Sequence, residues 1–126
     1  MVRSLVVLGQ SVLPAMAAGN GGAMIDSGAT ASLRGGAKFA AFASAKFALR
    51  GLTQSLARGY QSQGIHVVHT ILDGIIDTPR SRELHSLAPA TMMKPEEIAQ
   101  AYLALVRQPR STWTHELDLR PASESF

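Results

Sequence analysis

The chain has 126 residues, 46% of them hydrophobic and 17% charged, which supplies one buried core and excludes a disordered polymer. Twelve Lys and Arg against nine Asp and Glu leave a formal charge of +3, scattered singly along the chain rather than clustered in the basic stripe that grips nucleic acid. Cysteine is absent, which excludes disulfides and thiolate metal sites and suits a reducing cytoplasm.

The opening stretch, "VRSLVVLGQSVLPAMAA", places Leu5, Leu8 or Gly9, Val12 and Met16 at helical spacing, and the glycine-rich "GNGG" ends it. Arg3 and the small residues at 15–18 give it some likeness to a secretory signal. Gln10, Ser11 and Pro14 interrupt the apolar run, so a helix over 2–18 is the reading. No stretch is long enough to span a membrane. "AMIDSG" (23–28) reads as a short buried strand, and the loop "GATASLRGG" leads to a long helix over 37–60. Leu49, Leu52, Leu56 and Tyr60 recur along its second half, while its first half is rich in alanine.

Gly64 stops that helix, and the β-branched run "IHVVHTIL" (65–72) has the character of an interior parallel strand. Residues 73–91 read as loop. Pro95 followed by two glutamates opens another helix, with Ile98, Ala101, Tyr102 and Leu105 on one face and Pro109 as its stop. Trp113, His115, Leu117 and Leu119 alternate with polar neighbours, which predicts a final strand. Strands separated by helices require right-handed crossovers and a parallel sheet. The expected fold is therefore α/β, a partial Rossmann-like fold of three parallel strands with flanking helices, in a single domain over 1–126.

Most chemical motifs are missing. No G-x-G-x-x-G or Walker loop occurs, and Gly19–Gly22 and Gly35–Gly36 read as turns. His66 and His69, three apart on a strand, face opposite sides and cannot share a metal ion, while His85 and His115 stand alone. No metal site is expected. Ser27, Thr30, Ser32 and Ser44 offer hydroxyls, but "DSGAT" is not a nucleophile elbow and no His or Asp falls at a telling position, so hydrolysis lacks support.

The segment "GATASLRGGAKFAAFASAKFALRGLTQSLARGYQSQGIHVVHTILDGIIDTP" resembles the short-chain dehydrogenase/reductase family. The marks are the lysine of "KFALRGL", the "GIHV" strand, the "DGIIDTP" turn and their spacing. The likeness runs from Val2 to "ELDLRP" and corresponds to the second half of the family's domain. It implies an NAD- or NADP-linked oxidoreductase acting on a small carbonyl or alcohol. In such enzymes a Tyr-x-x-x-Lys pair and an upstream serine bind the substrate oxygen. The lysine lies against the nicotinamide ribose and lowers the tyrosine's pKa, bringing a phenol of pKa near 10 into working range.

Lys46 matches the lysine. Phe42 stands at the tyrosine position with no proton to give, and Ala29 falls at the serine position, with Thr30 and Ser27 close by. Ser44 lies about 200° round the helix from that pair of positions. Gly74 and Thr78 match the turn whose threonine contacts the nicotinamide carboxamide, and Asp73 replaces a proline. The family's glycine-rich loop, its NAD/NADP selector and its active-site asparagine would all precede this chain's first residue. The expectation is therefore a truncated, weak or inactive family member, a pseudoenzyme whose binding of NAD or NADP by itself is doubtful. The alternative is a non-catalytic interaction or oligomerisation module derived from the family, assembling as a homo-oligomer through the helices at 2–18 and 37–60. A fragment of a longer protein is the third reading.

Overall fold

A computed structural model describes residues 1–125. Its principal elements are helix α1 (Val2–Ala18), strand β1 (Gly22–Ala29), helix α2 (Ala40–Tyr60), strand β2 (Ile65–Leu72), helix α3 (Pro79–Leu84), helix α4 (Pro95–Val106) and strand β3 (Glu116–Leu119). The three strands form one parallel sheet in the order β1-β2-β3. Register runs from Gly22 opposite Ile65 to Ala29 opposite Leu72, and from His69 opposite Glu116 to Leu72 opposite Leu119.

The central strand explains its own composition. Seven of the eight residues of β2 are buried, because a strand paired on both edges and covered on both faces meets no water. One face carries Ile65, Val67, His69 and Ile71 toward α2; the other carries His66, Val68, Thr70 and Leu72 toward α4. Hydrogen bonds fix these assignments, since Thr53 of α2 reaches Asp26 on the first face and Tyr102 of α4 reaches Ser27 and Thr70 on the second.

Leu13 of α1 packs with Ile65 and Val67, flanked by Met16, Leu56 and Tyr60. Full burial of one such leucine stabilises by about 1.5–3 kcal/mol relative to exposure. The inward stripe of α1 differs from the expected one. Gly9 and Leu13 are buried, whereas Leu8 and Val12 are exposed. Gly9 faces Leu56 of α2, where a Cβ would lie 3.8 Å from Leu56 Cδ1, an ordinary contact distance.

The turn between α1 and β1 is also decided by glycine. Gly21 has φ +78°, and a Cβ there would sit 2.2 Å from Gly64 O, while Gly22 N donates to Gly64 O at 3.2 Å. Gly64 itself, at φ +80°, closes α2 and its following 3-10 turn in the left-handed conformation.

Two expectations need correction. Residues 73–91 are not loop throughout: Thr78 caps α3, with its Oγ1 accepting from Ser81 N at 3.1 Å, Ser81 Oγ accepting from Thr78 N at 2.9 Å, and Pro79 in the first turn. The last strand is shorter than its alternating pattern, because residues 110–112 turn as a 3-10 helix and Gln108 claims the next segment. Its side chain accepts from Thr114 N and donates to Thr114 Oγ1, both at 2.7 Å. Trp113 leaves the alternation to stack on His66, with centroids 4.7 Å apart.

Candidate functional site

In open α/β sheets ligands gather at the carboxyl ends of the strands. Here those ends present Ala29 as the last residue of β1 and Thr30 after it, Asp73 and Gly74 after β2, and the first half of α2 beside them. Lys46 Nζ donates to Ser27 O at 2.9 Å, so the ammonium is anchored to the end of β1 and keeps two further donors for a ligand. It lies 5.7 Å from the Phe42 ring centroid, which places the two positions on one helix face as their spacing predicts. Phe42 is 43% exposed, an apolar ring at the position where the resemblance implies a tyrosine.

The Ser27 hydroxyl does not take that place. The Ser27 side chain points to the other side of the sheet, where the Tyr102 hydroxyl lies 2.7 Å from both Ser27 Oγ and Thr70 Oγ1. Thr70 in turn donates to Asp26 O at 3.1 Å, so these hydroxyls form a chain that ends on backbone. Tyr102 thus has a serine beside it, but Lys46 touches only that serine's carbonyl.

Gly74 and Thr78 are both engaged inside the chain. A Cβ on Gly74 would stand 2.7 Å from Pro121 Cδ, which is a sufficient packing reason for glycine. Thr78 caps α3, and Asp77 beside it forms a two-pronged pair with Arg82, Nε to Oδ1 at 2.5 Å and Nη2 to Oδ2 at 2.8 Å. That pairing holds the Asp77 carboxyl below the ordinary aspartate range and pushes the Arg82 guanidinium up.

The structure also assembles a group that the spacing in the sequence conceals. His69 Nδ1 lies 2.7 Å from Asp26 Oδ2, and His69 Nε2 lies 3.1 Å from Ser32 Oγ. The expectation that no His or Asp stands near the hydroxyl candidates is therefore corrected for Ser32. The parallel register puts Asp26 directly opposite His69, and the 3-10 turn at 30–32 folds Ser32 back over them. Hydrolysis still does not follow. Ser32 and His69 are fully buried, leaving no approach for a carbonyl carbon. Ser32 Oγ accepts from Ala29 N at 3.2 Å, and Thr53 Oγ1 lies 3.3 Å from Asp26 Oδ2. The group is a polar knot that fastens the Ala29–Ser32 turn to β2 and α2. Gly28 makes room for it, since a Cβ there would fall 2.4 Å from His69 Nε2.

A cavity of about 550 Å³ opens at the strand ends, with Thr30, Arg34, Asp73, Gly74 and Thr91 among its lining. Lys46, with two donors beyond its bond to Ser27 O, is the residue that the resemblance would set against a nicotinamide ribose. The glycine turn that would cradle a pyrophosphate is not in the sequence. No helix among the described residues is long and apolar enough to cross a membrane.

Residues 1–88 match the short chain dehydrogenase family, and the chain belongs to it. It is 32% identical over 117 residues to Dehydrogenase/reductase SDR family member 6 of Xenopus laevis, covering 92% of this chain and 46% of that protein. A cyclohexanol dehydrogenase of Acinetobacter sp. (strain SE19) is 31% identical over 100 residues, covering 75% of this chain and 39% of the relative. Among solved structures, a short-chain dehydrogenase from Rhodopseudomonas palustris superposes with a TM-score of 0.70 at 44% identity, over 91% of this chain and 45% of that one. The closed form of a serine dehydrogenase complexed with NADP+ reaches a TM-score of 0.80 at 18% identity, over 97% and 53%, a likeness of fold alone. The chain spans about half the length of these relatives. The Rossmann-like architecture expected from the sequence, with three parallel strands and flanking helices, is the one observed.

Proposed function

We propose that this chain is the substrate-facing part of a cytoplasmic, NAD- or NADP-linked oxidoreductase unit whose ordinary proton transfer is disabled. The observation that carries the reading is the pairing of Lys46, anchored on Ser27 O, with an exposed Phe42 ring where a phenol would act. Lys46 orients a ribose. When bound, the nicotinamide supplies the hydride chemistry. With Phe42 and Ala29 at the tyrosine and serine positions, neither carries a hydroxyl to the substrate oxygen, and loss of a general acid costs about 10² to 10⁴ in rate.

Two measurements test this reading. Titrating NADH and NADPH by fluorescence is expected to give a dissociation constant weaker than about 1 mM for the chain alone, because the phosphate-gripping turn is missing. Micromolar binding overturns that expectation. With the family's first half supplied, Phe42→Tyr combined with Ala29→Ser is expected to raise reduction of a small ketone by at least about tenfold. Substantial turnover that ignores both substitutions would move the proton donor elsewhere.

A second reading is favoured by the apolar surface. Val7, Leu8 and Val12 on α1, Phe39 just before α2, and Phe42 and Phe47 on it are all exposed, and β1 has one unpaired edge. Such surfaces support a homo-oligomer built through the helices at 2–18 and 40–60, with or without catalysis. Sedimentation at low micromolar concentration is expected to show self-association; a clean folded monomer counts against it.

A further inference from the structure

We propose that Thr30 and Asp73 form the hydroxyl-recognition pair of this chain, standing in for the two hydroxyls missing at positions 29 and 42. The inference rests on the reading of the chain as an oxidoreductase for small alcohols and carbonyls. Ala29 and Leu72 are the last register partners of β1 and β2, so Thr30 and Asp73 are the next residues on two adjacent strands, facing each other past the ladder. Thr30 Oγ1 donates to Asp73 Oδ1. Both residues line the 550 Å³ cavity at the carboxyl ends of the strands. Asp73 stands where the family resemblance places a proline, which has no side-chain donor or acceptor at all.

The chemistry of the pair defines its ligand. Thr30 has committed its proton to Asp73, so its oxygen faces the cavity as an acceptor. Asp73 is 7% exposed, and a carboxylate has about four acceptor sites, of which the Thr30 hydroxyl takes one. Its nearest charge of opposite sign is Arg120 Nη2 at 3.9 Å, which is closer to Asp118 Oδ2 at 2.9 Å. The pair therefore recognises a donor, the O–H of an alcohol. Around it the cavity presents Arg34 against Asp73 and Glu124, one positive group to two negative ones, so a neutral alcohol fits better than a carboxylate or phosphate. The ligand hydroxyl donates a hydrogen bond to Thr30 Oγ1 while the Thr30 hydroxyl goes on donating to Asp73 Oδ1, so recognition makes and breaks no covalent bond.

The test uses the whole chain without cofactor, so nicotinamide binding and alcohol binding fail independently. Cyclohexanol is titrated and followed by amide NMR, with a side-chain carboxyl ¹³C signal for Asp73. Saturable shifts at Thr30, Asp73, Gly74 and Thr91 are expected in the millimolar range. Thr30→Val and Asp73→Asn are each expected to weaken that binding on the order of tenfold, and Thr30→Ser to restore it to within about threefold. Alcohol binding that neither substitution changes overturns the proposal, as does the lack of any saturable shift at this cavity below about 100 mM. Should a variant fail to fold, the Asp73 carboxyl signal of the unmodified chain decides: movement with alcohol supports the pair, and a still signal overturns it.

Discussion

Two polar groups lie a few residues apart in this chain and have opposite characters. Beneath the strand ends, Asp26, His69, Ser32 and Thr53 are joined in one hydrogen-bonded knot, with His69 and Ser32 fully buried. Beside it, on the first turns of α2, Phe42 is exposed and Lys46 reaches only a backbone carbonyl. The first group has the residue types of a hydrolytic triad and no access. The second has access and has lost the residue types. Residue identity and solvent access must coincide for chemistry, and neither region supplies both. The cavity lined by Thr30 and Asp73 is where we propose that the two coincide.

The sharpest way to break the contrast is His69→Ala. It opens a void where His69 is fully buried and takes the closest partner from the part-buried Asp26 carboxylate, so urea denaturation at fixed protein concentration is expected to show a loss of about 3 kcal/mol. An effect below about 1 kcal/mol means the knot is not what fastens the turn. Gly28→Ala should follow at about 2 kcal/mol, since its methyl group would press on both His69 and Ser32 Oγ, at 2.4 and 2.7 Å. A melting curve like that of the unmodified chain would show that the turn moves aside freely.

On the exposed side, Phe42→Tyr is expected to change stability by less than about 0.5 kcal/mol, because the added hydroxyl points into water. A large loss there would mean that the ring is covered, as in a helix-mediated oligomer. The smallest effect concerns Asp77. Its folded pKa lies below the ordinary 3.8 because of the Arg82 hydrogen bonds, opposed by desolvation and aided by Lys94. The carboxylate thus adds stability at pH values above the unfolded pKa, and that contribution is lost as pH falls through the lower folded pKa. An NMR titration should place the Asp77 midpoint below 3.8, and Arg82→Ala should bring it upward.

Long periodic elements were legible from residues alone. The bounds of α1 and β2 match the expected 2–18 and 65–72, and Leu49 and Leu105 are buried on the faces their spacing indicates. Lys46 and Phe42 share a face, as any two residues four apart on a helix must. Legibility failed where a long-range partner outweighed the local pattern. The alternation at 113–115 gave way to Gln108 and to a stack on His66, and the stripe on α1 turned to bury Leu13 against Ile65 and Val67.

The sequence by itself determined the layer architecture, the parallel direction of the strands and the lack of a side-chain hydroxyl at positions 29 and 42. Each of these depends on residue type or on spacing within one element. Only the tertiary structure decided that His69 meets Asp26 and Ser32, and that Thr30 meets Asp73. Those partners are separated by 43 residues in the first and last of these pairings, and strand register brings them to adjacent positions. Register is a property of the pair of strands, set by burial on both faces at once, and no local pattern in either strand contains it.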